Sequence, residues 1–216
     1  KKLPLEKDAR TILNLRPDQN ILLLMPASRP QELKYILPTF MLAARKLQQK
    51  YPSLVVFIPS CRKVFDEKFK KAFRKYQVKG KVISQKDNAR LKPYIYSLTK
   101  IALCKSGTVN MELALYGIPQ IVGYRVSRVT AFIAKKILNF KVRFISPVNL
   151  LVNKLIIPEF VQREFDEKKI FYKSCRILEG KSEKIRIKKG YAFLKKELGE
   201  KGVVQRAAKE IINSII

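Results

Sequence analysis

Histidine is missing from all 216 residues. That absence removes Ser/His and Cys/His nucleophilic catalysis, and with it the commonest metal ligand. Cysteine is scarce: Cys61, Cys104 and Cys175 lie far apart, odd in number and without a C-x-x-C pair. They read as reduced, mostly buried thiols of a cytoplasmic protein, so neither a disulfide framework nor a metal site is expected. Acidic residues are also few, 17 Asp and Glu against 46 Lys and Arg, which leaves a net charge of +29. No apolar run approaches the length of a bilayer span; Ile21-Leu22-Leu23-Leu24-Met25 is strand-sized. The chain opens on Lys1 rather than Met, and a piece of a longer product is expected.

What is present points to a folded domain. The apolar share of 47% is ordinary for a globular protein. The cationic excess attracts polyanions: nucleic acid, an anionic membrane surface or phosphorylated substrates. A competing reading is a Lys- and Ile-rich composition spread over solvated faces. Basic residues are scattered along the chain rather than gathered in one tail, which leans toward the second reading. Nucleic acid is not expected as a partner, because Tyr and Phe fall at core spacing and form no stacking platform.

Along the chain, apolar runs alternate with helical periodicity. Strands are expected at Ile21–Met25, Leu54–Ile58, Val82–Ser84, Ile101–Cys104 and Gln120–Tyr124. Between them, Leu33, Ile36, Leu37, Phe40, Met41, Ala44 and Leu47 trace an amphipathic helix, which Pro38 should kink or break. Val64, Phe65, Phe69 and Phe73 line a basic helix, and Ala89 to Leu98 a shorter one. Ser127 to Asn139 reads as a helix with Val129, Phe132, Ile133, Ile137 and Leu138 on one face and Lys135-Lys136 on the other. That basic face could meet an anionic membrane surface, though packing on the sheet suits its apolar side better. Ile157 to Gln162 reads as a helix with Pro158 in its first turn, and Asp166–Leu178 and Ser182–Ile216 as helical. The alternation predicts an α/β fold, a Rossmann-like parallel sheet covered by helices on both faces. The expected division is a nucleotide-binding domain over residues 1–165 and a helical extension over 166–216.

One stretch carries chemistry. Ser106-Gly107-Thr108 follows the strand at Ile101 and opens a helix that ends at Gly117-Ile118-Pro119. Free N–H groups of a first helical turn, with the positive end of the dipole, make an anion site. Glu112, about one turn further in, suits a sugar hydroxyl instead. Together they suggest a nucleoside diphosphate held by its pyrophosphate and ribose. In parallel sheets ligands bind where the loops after the strands converge, and Pro26–Arg29 is a second loop of that kind. Each residue also has a plainer reading. Ser106 or Thr108 can simply cap a helix, Arg29 can be a surface cation, Glu112 a partner for a lysine and Asn149 a turn cap.

Three pieces in order resemble lipid-A-disaccharide synthase. They are Pro26-Ala27-Ser28-Arg29 with Glu32; Ser106-Gly107-Thr108 with Glu112 and Pro119; and Gly123-Tyr124-Arg125 continuing through Ser146-Pro147-Val148-Asn149-Leu150-Leu151 to Pro158-Glu159-Phe160-Val161-Gln162. The resemblance covers nearly the whole chain and is similar to that family's carboxy-terminal half. It implies the nucleotide-binding domain of a two-Rossmann-domain (GT-B) glycosyltransferase. The implied donor is a UDP-sugar with acyl chains, UDP-2,3-diacylglucosamine, and the acceptor an acylated glucosamine-1-phosphate. The implied product is the β-1,6 disaccharide, with UDP released and no cofactor or metal required. Ser28, Arg29, Ser106, Gly107, Thr108, Glu112 and Asn149 are the implied nucleotide-sugar residues. The catalytic base is expected in an amino-terminal half that these residues do not include, so the segment alone should be inactive. An inner-face peripheral location follows from the lipid substrates. The alternative is a degenerate or split domain that binds UDP-sugar, or a polyanion or membrane, without catalysis. Two departures stand out: Ala27 where the family usually has Gly, and Lys105 where a small residue is common.

Overall fold

The computed structural model describes residues 3–127, 130, 143–199 and 202–214. Within them the chain runs α1 (Glu6–Leu13), β1 (Asn20–Met25), α2 (Pro30–Lys50), β2 (Leu54–Pro59), α3 (Lys63–Tyr76), β3 (Gly80–Ile83), α4 (Gln85–Leu98) and β4 (Thr99–Lys105). It continues with α5 (Thr108–Leu115), β5 (Gln120–Tyr124), α6 (Pro147–Val152), β6 (Glu159–Val161), α7 (Glu167–Glu179), α8 (Lys181–Glu197) and α9 (Val203–Asn213).

The strands form one six-stranded sheet in the order β3-β2-β1-β4-β5-β6, every neighbouring pair parallel. This is the order of the doubly wound dinucleotide-binding fold. The chain builds outward from β1 to β3, then returns to lay β4 on the other side of β1. The strand order therefore reverses between β1 and β4. Both strands are covered on both faces, which is why they read as continuous apolar runs: Ile21 to Leu24 and Ile101 to Cys104 are fully buried. The same core takes Ile170, Ile177, Ile187 and Leu194 from α7 and α8.

Helix α2 is not broken at Pro38, because its inner face, Leu33, Ile36, Leu37, Phe40 and Ala44, is held against the core on both sides of the proline. Residues 159–161 are a strand, not a helix. The Val122 amide donates to the Pro158 carbonyl at 2.9 Å, and the Gln162 amide to the Tyr124 carbonyl at 2.9 Å. Pairing with β5 overrides the local preference of a short segment whose Phe160 and Val161 suit a strand equally well. Helix α4 also begins earlier than expected, at Gln85, where the Ser84 hydroxyl accepts from the Asp87 amide. The predicted helix Ser127–Asn139, with its Val129 and Phe132 face and Lys135-Lys136, lies outside the described residues apart from Ser127 and Thr130.

Candidate functional site

Register sets the site. Met25 of β1 is paired with Cys104 of β4, so the loops Pro26–Arg29 and Ser106–Gly107 leave the same edge of the sheet side by side. Each loop leads straight into a helix. Arg29 is the N-cap of α2, without a side-chain cap bond, and Gly107 is the N-cap of α5. Two helix N-termini, each with unshared N–H groups and a partial positive charge, thus flank the point where the strand order reverses. Ser28, Arg29 and Thr108 are exposed there. The Arg29 guanidinium has no partner among the described residues, which leaves its donors for an incoming group. Ala27 packs its methyl against the hydrophobic core.

Inside the α5 turn, donors divide between inward and outward use. The Ser106 hydroxyl donates to the Ile145 carbonyl. The Gly107 amide donates to Asn110 Oδ1 at 2.8 Å. Both are committed to the protein, although the family resemblance implies both as ligand contacts. What faces outward is the Thr108 hydroxyl with the first-turn amides of Thr108 and Val109, which have no intrahelical acceptor. A Cβ built on Gly107 would have no protein atom within 4 Å, so the turn is open on its outer side.

Beneath the turn, Cys104 is fully buried, and desolvation pushes its thiol up to about 12, the Asn110 amide pulling weakly the other way. It is a core side chain, inert as a nucleophile.

Charged neighbours shape the floor and one wall. Lys105, the last residue of β4, reaches both oxygens of Glu32 in the first turn of α2, at 2.8 and 2.9 Å. The two side chains are only 19% and 12% exposed, so this pair ties the two loops across the strand reversal. Nothing local in the sequence announces this pairing, since Glu32 and Lys105 lie on different elements far apart in the chain. Glu112, one turn into α5 from Thr108, accepts from Lys92 Nζ of α4 at 2.9 Å through one oxygen. Its plainer reading as a lysine partner holds in this state, and its carboxylate also lies close enough to the Tyr96 hydroxyl to raise that phenol above its ordinary value, after the larger effect of burial.

Asn149 is engaged inside the protein. It is fully buried, and its Nδ2 donates to the Ile157 carbonyl at 2.8 Å and Glu159 Oε1 at 2.7 Å. Its Oδ1 accepts from the Ile156 and Ile157 amides at 2.8 and 3.0 Å. Every polar atom of the amide is engaged, and its bonds tie Asn149 to residues 156–159. Glu159, whose part no local sequence signal marks, completes the brace. Its carboxylate accepts from the Ile145 and Ser146 amides at 2.7 and 3.0 Å and from the Ser146 hydroxyl at 2.6 Å. Since Ile145 also accepts from Ser106, this brace reaches the α5 turn. Arg125 similarly donates to the Gln162 and Phe165 carbonyls, and its guanidinium lies 5.2 Å from the Phe165 ring centre. The most distinctive sequence segments thus meet in space as scaffolding.

A parallel sheet in this order, with helix-opening loops converging where it reverses, is a Rossmann-like domain of the GT-B glycosyltransferase type. The family model described as lipid-A-disaccharide synthetase matches residues 1–215. The lipid-A-disaccharide synthases of Prochlorococcus marinus (strain MIT 9313) and Gloeothece citriformis (strain PCC 7424) are 44% and 36% identical to it over 98% of the chain. The chain belongs to the lipid-A-disaccharide synthase family. It spans about half the length of the curated relatives it matches, 54% of each of these two. Among solved structures, it is similar in fold to WaaG, a glycosyltransferase involved in lipopolysaccharide biosynthesis, with TM-score 0.58, 14% identity and coverage of 88% of this chain and 46% of that one. A UDP-GlcNAc 2-epimerase from Neisseria meningitidis bound to UDP-GlcNAc gives TM-score 0.56 at 14% identity, covering 89% and 48%.

Proposed function

We propose that this chain is the nucleotide-sugar-binding half of a lipid-A-disaccharide synthase, a hexosyltransferase that needs a second, amino-terminal half for turnover. The observation that carries the reading is the convergence of the β1 and β4 loops, with two helix N-termini, at the strand reversal of a chain in this family. In the reaction, the bond from the anomeric carbon of UDP-2,3-diacylglucosamine to the diphosphate oxygen breaks. A hydroxyl of the acylated glucosamine-1-phosphate forms the β-1,6 bond, its proton passing to a base in the other half. UDP leaves with its negative charge stabilised by this half.

Each local group has a part consistent with its chemistry. Thr108, with the first-turn amides, holds the diphosphate, and Arg29 offers a planar fork to its oxygens. Ser28 lines the facing loop, and the Glu112 carboxylate accepts from ribose hydroxyls. Ser106, Gly107 and Asn149 act by holding the turn in place. Residues 1–165 supply the site, and the helices from 166 onward brace it. Acylated substrates imply work at the inner face of the cytoplasmic membrane, where a cationic surface is favourable. Among the described residues no helix is long and apolar enough to cross a membrane.

Calorimetric titration of the full chain with UDP tests the reading. Saturable, one-site binding of UDP supports it. Indifference to UDP combined with salt-sensitive binding of anionic vesicles or polyanions would instead favour a binding module without catalysis.

A further inference from the structure

Under the α5 turn runs a file of buried polar side chains that the nucleotide reading leaves unused. Asn110 and Gln120 are fully buried and Tyr191 is 3% exposed. They come from α5, β5 and α8, the last of these far along the chain. The Tyr191 hydroxyl donates to the Ile118 carbonyl at 2.9 Å. Its proton is thereby used, so it accepts from Gln120 Nε2 at 3.2 Å. The same nitrogen donates to the Asn110 carbonyl at 2.9 Å, and Gln120 Oε1 accepts from Asn110 Nδ2 at 3.0 Å. Asn110 Oδ1 in turn accepts from the Gly107 amide. The Ile118 carbonyl can only accept and the Gly107 amide can only donate. These two ends fix which way both side-chain amides point, and the file has a single consistent polarity.

Asn110 also grips the turn on its other side, its Nδ2 lying 3.3 Å from the Lys105 carbonyl. One side chain therefore holds the peptide groups before and after Ser106. With those peptides pinned inward, the amides of Thr108 and Val109 and the Thr108 hydroxyl are left facing the crevice. Leucine at these core positions would avoid the desolvation cost of burying two primary amides, a cost met only when every group is bonded. A network with one member removed leaves the others unpaired, so it acts as a unit.

We propose that Asn110, Gln120 and Tyr191 are positioning residues that hold the Ser106–Thr108 turn in the shape that receives a nucleoside diphosphate. This rests on the reading of the crevice as a UDP site. Removing a link loosens the donors that meet the diphosphate while leaving the nucleoside's own contacts alone.

The test compares UDP with uridine on the full chain, for the unaltered protein and for Asn110→Ala and Tyr191→Phe. Dissociation constants come from NMR titration, with hydrogen exchange of the Gly107 amide as a second readout. Expected is a UDP affinity lower by roughly tenfold or more for Asn110→Ala and by about two- to tenfold for Tyr191→Phe. Uridine affinity stays the same in both, and the Gly107 amide loses protection in Asn110→Ala. Parallel weakening of UDP and uridine overturns the proposal, since it marks a general loss of structure, and so does an unchanged ratio of the two affinities. Should Asn110→Ala fail to fold, Tyr191→Phe, which removes one oxygen atom, decides alone. If the unaltered chain binds UDP no better than uridine, the diphosphate site itself is absent and this inference falls with it.

Discussion

Arg29 and Thr108 show how exposure and commitment separate ligand-facing groups from scaffolding. A guanidinium at a helix N-terminus, without a partner among the described residues, is poised for an anion, and a charge-assisted bond is worth about 1.5–3 kcal/mol. Arg29→Ala is therefore expected to weaken UDP binding by roughly ten- to a hundredfold in calorimetry, with the melting temperature unchanged because the side chain is exposed. Unchanged affinity would remove Arg29 from the site. The three thiols make a second contrast. Cys61 is exposed, while Cys104 and Cys175 are buried, and burial holds the Cys104 thiol far above neutral pH. Maleimide at pH 8 should label Cys61 in the folded chain and the other two only after denaturation, as counted by mass spectrometry.

Elements are held by close approach in one place and by charge in another. On β5, Gly123 sits under an edge-to-face pair, Phe40 and Phe165, whose ring centres are 5.1 Å apart. A Cβ there would lie 2.1 Å from Phe165 Cε2 and 2.9 Å from Phe40 Cζ. Gly123→Ala must displace both rings, and a loss of about 1–3 kcal/mol in denaturant unfolding is expected. Helices α7 and α8 are joined through Glu183, which pairs with Lys173 at 2.8 Å, Arg186 at 3.0 Å and Arg176 at 3.5 Å. The Lys173 ammonium, then the Arg186 guanidinium, hold the carboxyl below its usual range against the opposing effect of burial. A carboxyl lowered by folding adds stability above its unfolded value and loses it as pH falls through the folded one. Glu183→Gln should thus melt about 2–4 °C lower at pH 7, and the gap should close below about pH 4 in a thermal melt series.

Across the molecule, the charge of +29 and the crevice pull in different directions on salt. Grip on one diphosphate involves few counterions, so UDP affinity should fall only about two- to fivefold between roughly 50 and 200 mM NaCl, as read by calorimetry. A surface field that binds polyanions would lose about 10³-fold or more over that range. The Lys105–Glu32 pair belongs to this level too. It links the two halves of the doubly wound sheet at the point where they meet, a fact visible only once β1 and β4 are neighbours.

Most of the architecture was legible in the chain because burial on both faces of a parallel strand leaves a local mark. Ile21–Met25, Leu54–Ile58 and Gln120–Tyr124 announce themselves as apolar runs, and Leu33 to Leu47 as a 3.6-residue stripe. The loops that carry Arg29 and Thr108 follow from those strands. Residues 159–161 did not, since three residues carry no period and their conformation came from the edge of β5. The inward use of Asn149 and of Ser106 was equally hidden. A polar group looks the same in sequence whether it meets a ligand or a carbonyl from a distant segment.

Sequence alone determined the alternation of strands and helices, the family, and the positions of the two helix-opening loops, for these depend on neighbours close along the chain. Tertiary structure alone decided which donors of those loops remain unshared. The Ser106 hydroxyl is taken by the Ile145 carbonyl, and Asn110, which takes the Gly107 amide, is itself held by Gln120 and through it by Tyr191; bonds between such elements form only when the sheet has brought them together.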